Sequence, residues 1–463
     1  MKIYFITGSQ YLYGEDTLVQ VENDSKKIVE YLDSKIDRVT VEYLGMVKTP
    51  EEAVSLVKKV NYDEDCCGMM VWCHTFSPAK MWINGLKILN KPMLHLHTQF
   101  NRELPYDQID MDFMNLNQSA HGDREFAYIL TRLGIPRTSV AGYYQDEDTI
   151  DEIKKWVDVA VAVEHSKKLK VCRFGDNMRD VAVTEGDKVE AQIKLGWQVD
   201  YYGIGDIVKE INDVSSEEVD ALYNEIITLY TLNTLDVEAV KEQVKYEIAL
   251  KRFLSKGGYN ALTTNFQDLW GLKQLFGMSI QRLMIEGYGF GAEGDWKIAA
   301  LGSVFKEMAK GRKGVTAFME DYTYDLVKGE ELVLGAHMLE VSPAVASTKP
   351  TIEVHPLGIG GKEPPARLVF DGIEGDAVAV CLVDMGTHMR LISAEIELVK
   401  QPKAMPKLPV ARLMWKLKPD FKTGAKAWLE AGGAHHTVVS TALTAEDVAL
   451  FAKLNGLEFV HIK

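Results

Sequence analysis

Over its first third the chain alternates short apolar runs with amphipathic stretches, a rhythm that leaves few folds open to it. KIYFITG, RVTVEYLG, CCGMMVWCH and PMLHLHT read as strands. Between them lie a helical pattern around residues 17 to 33, EEAVSLVKKV and PAKMWINGLKIL. Strands joined by helical crossovers pair in parallel, with helices on the faces of the sheet. A long helical pattern, EDTIDEIKKWVDVAVAVEHSKK, then leads to KLKVCRFG, where a second such series starts and runs through QVDYYGIGD, two helical stretches, YNALTTNF and EGYGFGAEGDW. Past residue 314 the texture changes to short runs broken by turn signals such as DGIEGD and DMGT, with one helix, AEDVALFAKLN, before the final strand EFVHI. The expected architecture is α/β: two consecutive parallel-sheet domains, 1–169 and 170–314, then a mainly antiparallel β domain, 315–463.

Composition narrows the function. A chain of 463 residues, 46% hydrophobic and 26% charged, has globular values and material for more than one core. Its formal charge of −15 repels polyanions, so neither nucleic acid nor an anionic membrane is expected as a partner; a small neutral or cationic ligand is. MKIYFITGSQ is strand-like, not a secretion signal, and no apolar run is long enough to span a bilayer, so a soluble, cytoplasmic protein is expected. Five cysteines without a C-x-x-C pair support neither a disulfide framework nor a thiolate zinc site.

GYGFGAEGDW contains G-x-G-x-x-G, but a helical pattern precedes it and Glu293 inside the loop repels a pyrophosphate. GIGGKEPP lacks the Ser or Thr of a P-loop. Nucleotide binding is therefore disfavoured at both places. Other groups stand out. Glu293 sits between glycines at a helix entrance, where a carboxylate either serves the helix dipole or does chemistry. Glu320, in AFMEDYTY, is flanked by aromatic and apolar residues; it is a costly buried carboxylate or lies on an exposed edge strand. His337 in GAHMLE is either a hydrogen-bonded core histidine or a ligand. His435 and His436 follow two glycines, and strand alternation lets one of them face a given pocket. Two carboxylates with two imidazoles suit Mn²⁺, Mg²⁺, Co²⁺ or Fe²⁺.

GSQYLYG, VWCHTFSPAKMWINGL, DMDFMNLNQSAHGDREF, CRFGDNMRDVAVTEGDKV, GFGAEGDW, FMEDYTY, LGAHMLEV, LGIGGK and AGGAHHT together resemble the L-arabinose isomerase family, from about residue 3 to the end. The resemblance implies an aldose–ketose isomerase acting on L-arabinose, and on D-galactose, through a metal-stabilised enediolate. It implies a divalent ion, usually Mn²⁺, with Co²⁺ or Mg²⁺ as substitutes, on Glu293, Glu320, His337 and His436, with the two glutamates as acid and base. His435 is then expected to face away and fix the turn.

The resemblance further implies sugar contacts from Gln10, Leu12, Phe76, Gln118, His121, Met178, Phe266, Met338 and Ile359. Apolar walls carrying a few polar groups suit a sugar. Homo-oligomers, hexameric or tetrameric, with active sites between subunits are implied as well. Family members are expected to run on for roughly thirty residues past EFVHIK. A divalent-metal hydrolase and a two-domain sugar-binding protein are the competing readings: the first yields a cleaved pair instead of an isomer, the second binds without turnover.

Overall fold

The computed structural model describes all 463 residues, which form two compact units, Met1–Glu164 and His165–Lys463. In the first unit β1 (Lys2–Gly8), β2 (Thr40–Val47), β3 (Cys66–Cys73), β4 (Met93–His97) and β5 (Thr138–Ala141) form one sheet in the order β2-β1-β3-β4-β5. Every pairing in it is parallel. All eight residues of β3 are buried, the continuous apolar strand that a sheet covered on both faces requires. The strand order reverses between β1 and β3, so the loops that follow these strands flank the crevice in which doubly wound sheets bind ligands. Gln10 lies in one of these loops, and Phe76 in the other.

The second unit holds two larger sheets. One consists of β6 (Lys170–Phe174), β7 (Gln198–Tyr202), β8 (Ala261–Thr264) and β9 (Gly289–Gly291), again parallel, in the order β9-β8-β6-β7. The other is antiparallel: β10 (Thr316–Asp325), β11 (Leu332–Ala336), β12 (Gly375–Asp384), β13 (Met389–Val399), β14 (Arg412–Leu417) and β15 (His436–Ser440). Its order is β12-β15-β10-β11-β14-β13, and β12 also pairs with β13, which closes a six-stranded barrel. A last strand, β16 (Glu458–Ile462), joins β13 in parallel. The expected fold class, two parallel α/β sheets followed by a mainly antiparallel one, is what the chain adopts.

The expectation of a single C-terminal helix needs correction, because Phe421–Ala431 is helical as well as Ala445–Asn455. Asp420 caps its start and Gly432, in the left-handed region, ends it. Gly424 obscures this helix in the sequence; a Cβ there would lie 3.0 Å from Leu417 Cβ and 3.2 Å from the Lys418 carbonyl, so a close approach to the chain leaving β14 selects glycine inside a helix.

All five cysteines are free and buried, and burial raises their thiol pKa values. No helix is long and apolar enough to cross a membrane.

Candidate active site

The glycines of GYGFGAEGDW bring the helix Trp296–Met308 against β9. A Cβ on Gly291 would lie 2.2 Å from the Asp295 carbonyl, and one on Gly294 would lie 2.4 Å from Asn177 Cα. Close packing of helix, strand and the 176–177 loop therefore accounts for the motif. Between these glycines Glu293 has φ +58, a left-handed backbone that costs a non-glycine residue about 1–3 kcal/mol. The backbone N–H of Met178 donates to the Glu293 carbonyl at 2.9 Å, and that of Gly294 donates to the Thr264 carbonyl at 2.9 Å, which over-determines the turn.

The barrel presents the other groups by strand register. Glu320 on β10 lies opposite Ala336 of β11 on one side and His436 of β15 on the other. Directly opposed residues of antiparallel strands project to the same face about 5 Å apart, and His337 immediately follows Ala336. The edge-strand alternative for Glu320 is thus wrong: β10 is paired on both sides, and the side chain is 18% exposed.

Both imidazoles are buried and oriented by a second carboxylate. His337 Nδ1–H donates to Glu340 Oε2 at 2.6 Å, and His436 Nδ1–H donates to Asp295 Oδ2 at 3.2 Å. Each Nε2 then carries a lone pair. That of His337 lies 3.9 Å from Glu320 Oε2, and that of His436 lies 3.9 Å from Glu293 Oε2. The His436 Nε2 is buried without a hydrogen-bond partner. The two rings are 6.0 Å apart, with Phe318 against both at 5.2 and 5.3 Å. A nitrogen lone pair facing a carboxylate oxygen in a buried pocket is an arrangement that a cation completes.

His435 departs from expectation. It does not face away: its Nε2–H donates to Glu293 Oε2 at 3.4 Å, and its ring lies 4.2 Å from that of His436. Alternation between faces holds within an extended strand, and β15 begins only at His436. Glu293, His435 and His436 each bring one ligand atom within 4.8 Å of the others, so the tightest trio includes the histidine that the motif match set aside.

The electrostatics separate the two glutamates. The hydrogen bond from His435 lowers the Glu293 pKa against the opposing effect of burial, with help from nearby His436. Burial raises that of Glu320, while His337 and His435 oppose the rise. Burial lowers His436 despite its bond to Asp295, whereas for His337 burial, the largest single effect, is overcome by Glu340 together with Glu320 and Glu293, and its pKa is raised.

Around this cluster, the Phe266 ring stacks at 5.9 Å on His337, and the Met338 carbonyl accepts from Arg367. Met178 joins through its backbone bond to Glu293. Ile359 lies in a loop and is 36% exposed. Within the first unit, Gln10 Nε2–H donates to the Phe76 carbonyl at 3.2 Å, and the Phe76 and His121 rings lie 4.5 Å apart. Tyr13 hydroxyl donates to Gln118 Oε1 at 3.3 Å. Phe76 and His121, with Arg124 and Glu125, line a cavity of about 550 Å³. Leu12 is not drawn into this group as an apolar wall; at 82% exposed it stands in solvent.

Three family profiles match the chain in succession: L-arabinose isomerase N-terminal domain over residues 1–168, central domain over 170–311 and C-terminal domain over 315–458. The chain belongs to the L-arabinose isomerase family. Among relatives in that family, L-arabinose isomerase 1 of Bacillus licheniformis is 56% identical, covering 99% of this chain and 93% of its own. L-arabinose isomerase of Geobacillus stearothermophilus is 54% identical, covering 100% and 94%. That of Bacillus subtilis is 52% identical, covering 100% and 94%.

Sequence reasoning did not find Asp295, Glu340, Phe318 or a role for His435 at the cluster. Asp295 and Glu340 had a signal: each stands two or three residues from a named group, in GAEGDW and HMLE.

Proposed function

We propose that the protein converts L-arabinose to L-ribulose, and D-galactose to D-tagatose, with a divalent cation held by Glu293, Glu320, His337 and His436. The observation that carries this reading is the pair of buried imidazoles, each tied at Nδ1 to a carboxylate and facing a glutamate oxygen with Nε2. Mn²⁺ suits this mixed oxygen and nitrogen set, as do Co²⁺ and Mg²⁺. His435, bonded to Glu293, either orients that carboxylate or joins the ligands.

Aldose–ketose interconversion moves a hydrogen between C1 and C2 and needs a base over one face of the sugar and an acid that returns the proton to the neighbouring carbon. When bound, the cation supplies Lewis acidity toward the carbonyl and the adjacent hydroxyl. Glu293 and Glu320 alternate as donor and acceptor of that proton at their carboxylate oxygens. Phe266 and Phe318 pack on the imidazoles and exclude water from them. Met178, Phe266, Met338 and Ile359 are the sugar contacts assigned to this unit, and Gln10, Leu12, Phe76, Gln118 and His121 those assigned to the N-terminal unit.

In this reading the protein is cytoplasmic and a homo-oligomer, hexamer or tetramer, in which the N-terminal residues serve a neighbouring subunit's site. In this reading the domains are 1–169, 170–314 and 315–463. Metal-stripped protein incubated with L-arabinose forms ribulose when Mn²⁺ is added and none without it. Equal ketose in both, or cleaved products, defeats the reading. Deuterium from solvent at C1 of the ketose supports proton transfer; full retention of substrate label points to a hydride shift instead.

A further inference from the structure

Lys297 is fully buried on the first turn of the helix Trp296–Met308. A buried ammonium is retained only where its charge and its three donors are met. Here Nζ donates to the carbonyls of Val183, Thr184 and Glu185 at 3.1, 2.8 and 2.6 Å. It also lies 3.5 Å from Asp295 Oδ1, on a carboxylate that is itself 1% exposed.

These contacts connect two parts of the site that are far apart in the chain. Asp295 holds His436 through one oxygen and caps the helix at the Ile298 N–H with the other. The 183–185 carbonyls close the loop that carries Met178, whose N–H holds the strained Glu293. Asn177 adds two bonds from the same loop, donating to the Thr184 carbonyl at 2.7 Å and to the Gly294 carbonyl at 3.1 Å. Remove the ammonium, and the Val183 and Glu185 carbonyls lose this donor, the Thr184 carbonyl is left with Asn177, and Asp295 loses the lysine cation beside it.

We infer that Lys297 is a positioning residue for the cation site: its ammonium clamps the 183–185 carbonyls to Asp295, and through Asp295 it sets His436. A purely structural lysine would hold the loop and the helix together without bearing on the ligands. The inference rests on the cation-site reading above and deepens it.

The test is Mn²⁺ titration of metal-stripped protein by electron paramagnetic resonance, with Lys297→Met, Asp295→Asn and the double variant beside the wild type. Lys297→Met is expected to weaken Mn²⁺ binding about tenfold or more, as loss of an outer partner of a ligand does. In the Asp295→Asn background the same change is expected to add less than about twofold, because the two act on His436 in series. If Lys297→Met does not fold, Lys297→Gln, which keeps donors but not the charge, takes its place with the same expectation. Affinity within twofold of wild type, or a full additional loss in the Asp295→Asn background, overturns the positioning role. A wild-type chain that binds no Mn²⁺ overturns the cation-site reading itself, a distinct result.

Discussion

Both units contain buried histidines paired with carboxylates, yet the group whose ligand atoms could hold a metal ion, Glu293, His435 and His436, lies in the second. In the first unit His74 Nε2 lies 3.1 Å from Asp24, and its ring stacks on Trp72 at 4.4 Å. His95 and His97 share Asp123, at 3.0 and 2.8 Å. In the second, His337 and His436 have the same kind of partner, but their remaining nitrogens face Glu320 and Glu293. One carboxylate does not complete these rings: His74 Nδ1 and His95 Nε2 are buried without a hydrogen-bond partner, as His436 Nε2 is. In the second unit a further carboxylate oxygen stands 3.9 Å from the other nitrogen of each ring, a spacing that a cation between them suits. The contrast shows that the pairing alone does not make a site; what the second nitrogen faces does.

The sharpest way to break this comparison is to replace the outer carboxylates. Glu293→Gln and Glu320→Gln are each expected to lower turnover at least about a hundredfold, the lower range for loss of a general acid or base. Asp24→Asn in the first unit should cost stability and leave kcat near wild type. Steady-state kinetics beside thermal melts decide, and near-normal turnover in both glutamate variants removes the distinction between the units.

Next in size are the orienting carboxylates. Asp295→Asn and Glu340→Gln are each expected to weaken Mn²⁺ binding about tenfold to a hundredfold, measured by calorimetry on stripped protein. Asp123→Asn, which serves two histidines in the first unit, should leave that affinity unchanged.

A smaller effect tests where the cation acts. At a tenfold excess of Mn²⁺ over its Kd the folded state gains about 1.4 kcal/mol. Hydrogen exchange should show that protection across β10, β15 and the helix Trp296–Met308, and not in β1 to β4. Equal protection in both units would place the cation elsewhere.

The smallest expected effect is the pH response of His97. Its hydrogen bond to Asp123 raises its pKa above the ordinary 6.5, against partial burial. A raised folded-state value means that its contribution to stability is fully present below 6.5 and is lost as pH climbs through the raised value. His97→Gln should therefore lower Tm more at about pH 5.5 than at about pH 9. An equal loss at both would show that the Asp123 pair contributes by packing.

Much of the site was legible in sequence. The motifs named Glu293, Glu320, His337 and His436; the structure sets His337 against Glu320 and His436 against Glu293, each at 3.9 Å, and its compact trio adds His435 to Glu293 and His436. What could not be read was the partner of each ring. HMLE puts Glu340 three residues from His337 but does not fix that it folds back on it, because an i,i+3 contact depends on how the chain leaves β11. The relation of His435 to His436 looked like strand alternation, but the strand begins only at His436, so both rings lie near Glu293, and boundaries of that kind are set by pairing with β10. G-x-G-x-x-G was disfavoured as a nucleotide motif, but that its glycines pack helix against strand was not legible.

Local pattern was enough for the layered fold. Continuous apolar runs alternating with amphipathic helices admit a parallel sheet, and turn-separated short strands admit an antiparallel one, because each buries its apolar face in one way. Pattern was also enough to nominate the acidic and imidazole side chains. Which atoms meet was settled at long range, by the register that sets Glu320 opposite His436 and by the left-handed turn that aims Glu293 at the barrel. Closing the six strands and seating Lys297 beneath Asp295 are contacts between residues far apart in the chain. No neighbouring residue carries information about such contacts, since their geometry exists only once the sheets have packed.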